Sequence, residues 1–394
     1  MRKIVFYCQH VLGIGHLVRS TEIIRALASR FSVCLVSGGA DVDGFEFPEG
    51  VSVVKLPPLQ TDADFAELQT VSGHDLEQVK QARQEILLSV LREQRPDAFI
   101  IELFPFGRKR FGFELLPALE YLDRFQSQTQ VLCSLRDILV RKTDQEQHEE
   151  RVCKVVNRYF DRVLVHGDAR FQKLEETFSR VGDLKCPVEY TGYVVQPEPP
   201  PSRSVALPDG PFIVVSIGSG RYRSGHQLIE SVIESAAILR QQVPHRILIF
   251  GGPFMPDDVF ARLTELTAGQ PNVRLERYSP ELLSLMQYAG LSISMGGYNT
   301  LMNVLTTGVR AMVFPYTTNG DREQNIRAEK LEELRILDVL HPEDLSAPVL
   351  APKILLALMR TPERFHFEFD GAARTAEILD ACLRPSPAGE AVAS

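Results

Sequence analysis

What the sequence lacks narrows its class. It has no surplus of basic charge: 51 Asp and Glu face 43 Lys and Arg among 394 residues, a formal net charge of −8. Neutralising a phosphate backbone needs excess Lys and Arg, so nucleic acid is excluded as the main partner, though a local basic patch is not. No stretch approaches the ~20 apolar residues of a membrane-spanning helix. Six cysteines, Cys8, Cys34, Cys133, Cys153, Cys186 and Cys382, include no CxxC pair, and several lie in apolar runs. They read as reduced core thiols in a reducing, cytoplasmic compartment rather than a disulfide framework. The opening Met1-Arg2-Lys3 and the apolar Ile4–Cys8 lack a cleavage-site pattern and read as a strand, not a leader.

What is present is ordinary globular composition, 44% apolar and 24% charged, in a chain long enough for two cores. Short apolar runs at Ile4–Cys8, Ser32–Ser37, Val51–Lys55, Ala98–Glu102, Thr129–Ser134 and Arg162–His166 alternate with helical patterns such as Ser20–Arg30, Asp75–Gln94 and Gln145–Tyr159. Near-continuous apolar strands joined by helices imply parallel sheets with right-handed crossovers. The alternation stops at the cluster Pro197-Glu198-Pro199-Pro200-Pro201-Ser202, a stiff connector, and restarts with Phe212–Ile217, Arg246–Phe250, Val273–Leu275, Leu291–Ser294 and Ala311–Phe314. The expectation is an α/β chain of two doubly wound, Rossmann-like domains: 1–196, a linker 197–207, 208–381, and a tail 382–394.

In open α/β sheets ligands sit beyond the carboxyl ends of the strands, where strand-to-helix turns offer free N–H groups and a helix dipole to anions. Three glycine turns fit: Gly13-Ile14-Gly15-His16, Gly218-Ser219-Gly220-Arg221, and Gly296-Gly297-Tyr298-Asn299-Thr300. A dinucleotide fingerprint wants a third small residue, but Val18 and Arg223 stand there, and neither of the first two turns carries Gly-Lys-Ser/Thr. Two turns in the second domain, with Arg221 and Arg223, suit a diphosphate held without a metal; the alternative for the arginines is a solvated loop.

His16, at a helix start where the dipole disfavours imidazolium, is a candidate base for an acceptor hydroxyl, or else a cap or phosphate contact. Asp137 follows another strand end and could be the base or orient His16, or form an ion pair or helix cap. His10 reads as a satisfied loop residue, and His166 and Asp168 as core or cap residues. Asp41-Val42-Asp43 matches a metal-binding DxD only by three letters, and Asp321 reads as a helix cap. Phe104, Phe106 and Phe111 interleave with Arg108, Lys109 and Arg110. The segment could rest on an anionic membrane surface and admit a lipid-linked acceptor, placing the protein peripherally at the inner membrane face; equally, the aromatics could close the first core.

The segments GIGHLVR (13–19), FPFGRKRFGFELLP (104–117), CSLRDIL (133–139), LVHGD (164–168), YTGYV (190–194), Gly296–Asn303 and Asp321–Asn325 run in order through nearly the whole chain. With them the sequence resembles the GT-B glycosyltransferases related to the N-acetylglucosaminyltransferase that makes the peptidoglycan lipid precursor, and a bacterial branch of predicted glycosyltransferases. The resemblance implies two domains facing a cleft, a donor-binding C-terminal domain, an acceptor-binding N-terminal domain, and transfer from a UDP-sugar with no metal or cofactor. It implies a diphosphate at Gly218, Ser219, Gly220 and Arg221, a base by Tyr278 and Ser279, phosphate or ribose at Gly296, Gly297, Asn299 and Thr300, and a donor sugar at Glu323 and Gln324. The family's ribose-binding carboxylate is Asn303 here, and an amide makes that contact more weakly. GIGHLVR is also similar to a turn of the UDP-sugar hydrolase of the pseudaminic acid pathway. A hydrolase, or a non-catalytic sugar-nucleotide binder suggested by Asn303, is therefore the alternative.

Overall fold

A computed structural model describes residues 1–10, 15–41, 45–61, 68–70, 73, 75–197, 207–316 and 322–384. The chain forms two compact units. In the first, β1 (Lys3–Cys8), β2 (Ser32–Ser37), β3 (Ser52–Lys55), a small antiparallel pair β4 (Leu59–Thr61) and β5 (Leu68–Thr70), β6 (Ala98–Glu102), β7 (Gln130–Arg136), β8 (Arg162–His166) and β9 (Val188–Tyr190) alternate with α1 (Gly15–Ala28), α2 (Leu76–Gln94), α3 (Gly112–Phe125) and α4 (Gln145–Tyr159). The seven-stranded sheet runs β3-β2-β1-β6-β7-β8-β9, parallel throughout, with Val5 opposite both Cys34 and Phe99. Its central strands are buried on both faces, which is why they read as unbroken apolar runs. Tyr7, Phe99, Ile101, Leu115 and Leu119 fill one side of the sheet, and Phe6, Leu35, Ile100, Ile23 and Leu27 the other.

The second unit holds β10 (Phe212–Ser216), β11 (Arg246–Phe250), β12 (Val273–Glu276), β13 (Leu291–Met295), β14 (Ala311–Phe314) and β15 (Asp338–Val339). They alternate with α5 (Arg223–Gln242), α6 (Asp257–Thr267), α7 (Leu282–Tyr288), α8 (Tyr298–Thr307), α9 (Glu323–Glu333) and α10 (Ala347–Met359), in the parallel order β12-β11-β10-β13-β14-β15. In both sheets the strand order reverses beside the first strand, the arrangement that opens a ligand crevice at the strands' carboxyl ends.

The expected boundary at 381 is corrected. The second unit ends at His366, and the chain from Phe367 onward belongs to the first. The last helix, α11 (Gly371–Leu383), places Ala376, Ile378 and Leu379 in the same apolar cluster as Leu17, Ile23 and Ile24. Gly371 makes this possible, since a Cβ there would lie 2.4 Å from the Gly192 carbonyl oxygen. Residues 198–206 of the linker and 385–394 of the tail lie outside the described residues.

The membrane assignment of the aromatic segment is also corrected. Phe104, Phe106 and Phe111 are at most 4% exposed and belong to the first core, where the Phe106 ring meets Phe178 edge-on at 5.0 Å. Burial of three such rings outweighs surface contact, at about 1.5–3 kcal/mol each. Of the three cations Lys109 and Arg110 are exposed and Arg108 is half-buried. Among the described residues no helix is long and apolar enough to cross a membrane.

Candidate functional site

The first unit's site begins at the last residue of β6. Glu102 is wholly buried, and its Oε1 accepts two bonds from α1: His16 Nδ1 at 2.6 Å and Arg19 Nη2 at 2.5 Å. His16 and Arg19, three residues apart, share one helix face. Burial by itself would raise the Glu102 carboxyl, but the His16 ring and the Arg19 and Arg108 guanidiniums outweigh it and hold the group down to about 2. His16 is pushed down to about 4, foremost by burial and further by Arg108 and Arg19, against the pull of Glu102. An ionised carboxylate only accepts, so Nδ1 carries the proton and donates. Nε2 is then the nitrogen with a lone pair, on a side chain still 24% exposed. The ring is neutral as expected from a helix start, with burial rather than the dipole as the leading cause.

Asp137 does not orient His16. It is wholly buried after β7; its Oδ2 accepts from the Tyr193 hydroxyl at 3.0 Å and its Oδ1 from the Ile138 N–H at 3.0 Å. A group so enclosed braces a turn and has no access to a substrate hydroxyl, so Asp137 is corrected from candidate base to structural residue. His166 spans Ser134 Oγ and Thr191 Oγ1 at 2.8 Å each, and burial pushes it down to about 3. It is a neutral core histidine. Asp168 pairs with Arg170, and His10 Nε2 meets the Ala40 carbonyl at 2.8 Å. Asp41 is exposed and paired with Lys55 at 2.6 Å; Asp43 and Asp321 lie outside the described residues. Gly15 opens α1 in an exposed position, and the helix's first turn carries no acidic residue.

In the second unit the turn after β10 is built by φ angles that only glycine adopts easily, +67° at Gly218 and +81° at Gly220. It interleaves with a second glycine turn after β11. A Cβ on Gly252 (φ +92°) would lie 2.4 Å from the Gly220 nitrogen, and one on Gly220 would lie 2.3 Å from the Gly251 carbonyl. The Phe254 N–H donates to the Ser219 carbonyl at 3.0 Å, and His226 Nε2 meets the Gly220 carbonyl at 2.7 Å. Arg221 is exposed and stacks on Phe254 at 4.6 Å; with Arg277 it lines an open groove over Phe254, Met255 and Asp257. Tyr278, 60% exposed, follows directly, while the Ser279 hydroxyl accepts from the Glu281 N–H before α7.

The third turn starts α8. Gly297 is its N-cap, with open space where a Cβ would stand. Its first-turn N–H groups, those of Tyr298, Asn299 and Thr300, have no carbonyl four residues back within the helix to bond. Asn303 is buried one turn further on. Gln324 Oε1 accepts from the Tyr316 N–H at 2.9 Å and lies against Gly296. Glu323 is buried and paired with Arg327 at 3.2 Å, whose guanidinium faces the Tyr298 ring at 5.2 Å. The Tyr222 and Tyr316 rings, 4.3 Å apart, join the first turn to this cluster. Gly218–Arg221, Gly296–Gly297 and Gln324 are thus brought to one edge of the sheet.

Sequence reasoning missed Glu102, Arg19 and the Gly251-Gly252 turn. Each had a signal: a carboxylate closing an apolar strand, an arginine inside GIGHLVR, and two glycines directly after the run Arg246–Phe250.

Residues 212–368 match the glycosyltransferase family 28 C-terminal domain. The second unit thus carries a glycosyltransferase family 28 C-terminal domain, and the two-unit fold is that of solved GT-B glycosyltransferases. More particularly, the chain is related to UDP-N-acetylglucosamine--N-acetylmuramyl-(pentapeptide) pyrophosphoryl-undecaprenol N-acetylglucosamine transferase of Gloeobacter violaceus, at 27% identity over 209 residues, 50% of this chain and 56% of that protein. The match thus spans little more than half of the relative's length. Among solved structures, MurG of Acinetobacter baumannii superposes with a TM-score of 0.58 at 14% identity, covering 97% of this chain and 100% of that one. The glycosyltransferase SnogD of Streptomyces nogalater gives 0.58 at 17%, covering 98% and 100%. At such identities the likeness carries the fold, and the reaction has to be argued from the site.

Proposed function

We propose that the protein transfers a sugar from a UDP-sugar to a hydroxyl acceptor, with His16 as general base and no metal. The observation that carries this reading is the His16–Glu102 bond, which leaves Nε2 as the basic nitrogen of a neutral ring whose side chain is still 24% exposed. The acceptor O–H gives its proton to His16 Nε2 as its oxygen bonds to the anomeric carbon. The bond from that carbon to the diphosphate oxygen breaks, and the electron pair leaves with UDP. Glu102 stabilises the imidazolium as it forms. The leaving diphosphate is met by Arg221, the Gly218–Gly220 turn and the N-terminus of α8, which supply positive charge without a metal ion. Asn303 and Tyr278 take the ribose and base, and Glu323 and Gln324 the donor sugar.

The test is UDP release from a panel of UDP-sugars in the presence of EDTA, with and without candidate hydroxyl acceptors. Acceptor-dependent release that persists in EDTA and falls in His16→Ala supports the reading. Release that is equally fast without acceptor would make the protein a hydrolase using the same base on water, and loss in EDTA would overturn the metal-free mechanism.

A further inference from the structure

We infer that Arg19 is a positioning residue that fixes the protonation state of the His16–Glu102 pair; the inference rests on the reading of His16 as the base. Arg19 is 3% exposed, and its Nη2 reaches the same carboxylate oxygen as His16 Nδ1, at 2.5 and 2.6 Å. That oxygen has two lone pairs in its plane, and the two N–H groups occupy them. Glu102 Oε2 is buried with no hydrogen-bond partner among the described residues, so the carboxylate is held from one side, by α1.

The arrangement has an electrostatic consequence. A buried carboxylate favours a proton on the imidazole it faces, while burial of the ring disfavours it. A guanidinium is charged at every working pH. By pairing with Glu102 it satisfies the negative charge, so the ring gains less from protonation and remains neutral. Two further titratable groups lie around the trio without adding charge: the Cys8 thiol meets the His16 carbonyl, and His166 is coupled to Arg19 and Glu102. Cys8 on β1 and His166 on β8 are buried and neutral, the first with its thiol raised to about 12 and the second with its imidazole lowered to about 3. Arg108, in the loop after β6, lowers the ring more by its charge than Arg19 does, but no hydrogen bond joins its Nε to a partner among the described residues. Among the described residues, Arg19 is the cation that bonds directly to the oxygen orienting the ring.

A merely structural arginine would satisfy Glu102 without governing when His16 takes up its proton, and titration separates the two. The His16 ring signal in a proton–carbon NMR spectrum, identified by its loss in His16→Gln, is followed against pH in the parent, Arg19→Lys, Arg19→Gln and Arg19→Met. The parent midpoint is expected at about 4. Loss of charge in Arg19→Gln or Arg19→Met should raise it by about 1 unit or more. Arg19→Lys, which keeps the charge, should stay near the parent. Arg19→Gln retains a donor and serves if Arg19→Met does not fold. The acid limb of UDP release from a UDP-sugar should move upward with the midpoint. An unmoved midpoint in a folded, uncharged variant overturns the assignment of Arg19 and leaves the base reading standing. Full turnover in His16→Gln overturns the base reading itself, whatever the titration gives.

Discussion

Replacing Glu102 with Gln keeps the shape of the site and removes one charge. The amide oxygen still accepts from His16 Nδ1 and Arg19 Nη2, so the Nδ1–H tautomer survives, while the amide N–H₂ points where Oε2 has no partner. The loss falls on the transition state, in which the ring becomes imidazolium. Charge centres about 4 Å apart attract by ~4 kcal/mol at an effective dielectric of 20. At 1.36 kcal/mol per decade this is a ~10³-fold fall in kcat. Because His16 is 24% exposed, water screens part of it, and we expect ~10²–10³-fold. Arg19 would also lose its counter-charge, so activity is normalised to the folded fraction measured by circular dichroism. The assay is UDP release at saturating UDP-sugar, together with the Kd for UDP, which should not change. A Glu102→Gln protein that folds and turns over within about threefold of the parent would refute the dyad, since even a typical general-base contribution is ~10²-fold.

Two further outcomes follow from the packing. Gly252→Ala should destabilise the protein by at least ~1–3 kcal/mol, since it combines φ +92° with a Cβ 2.4 Å from the Gly220 nitrogen, whereas Gly297→Ala, with open space around it, should melt near the parent; equal melting temperatures would contradict the interleaved turns. His166 is held neutral in the fold, down to about 3, against ~6.5 when unfolded, so its stability contribution is complete above pH ~6.5 and lost as pH falls toward 3. Denaturant unfolding should therefore show about 2 kcal/mol less dependence on pH between 7.5 and 5 in His166→Asn than in the parent, and identical pH dependence would count against it.

Much of this architecture was legible because it is local. Fully buried parallel strands read as apolar runs, and Gln145–Tyr159 and Asp257–Thr267 follow helical periods that packing left intact. What escaped notice depends on distant partners. Glu102 meets His16 across 86 residues of sequence, so its role appears only when β6 is placed beside β1. The segment Phe104–Phe113 mixes rings and cations with no simple period. Which of its side chains turn inward shows only in the packing, where Phe104, Phe106 and Phe111 join the first core. Pro117 disguised α3, although its first five residues carry it into the helix. Helix α11 is amphipathic, but nothing in Gly371–Leu383 says whether it packs against the nearer sheet or against α1, more than 340 residues earlier. Nor did the identity of Asp137 distinguish a buried brace from a base; only the Tyr193 hydroxyl on its carboxylate does.

The measurement that bears most directly on the central claim is turnover and donor affinity in a single His16→Ala protein, against the same UDP-sugar as the parent. The account predicts a loss of about 10²–10⁴-fold in kcat, roughly 3–5 kcal/mol of barrier, with the Kd for UDP unchanged. In the proposed mechanism His16 takes the acceptor proton, while the proposed UDP contacts lie in Phe212–Phe314 and α9 of the other unit. Full activity in the alanine variant would contradict the claim that this histidine is the base. A parallel loss of UDP affinity would instead make it a contact of the donor.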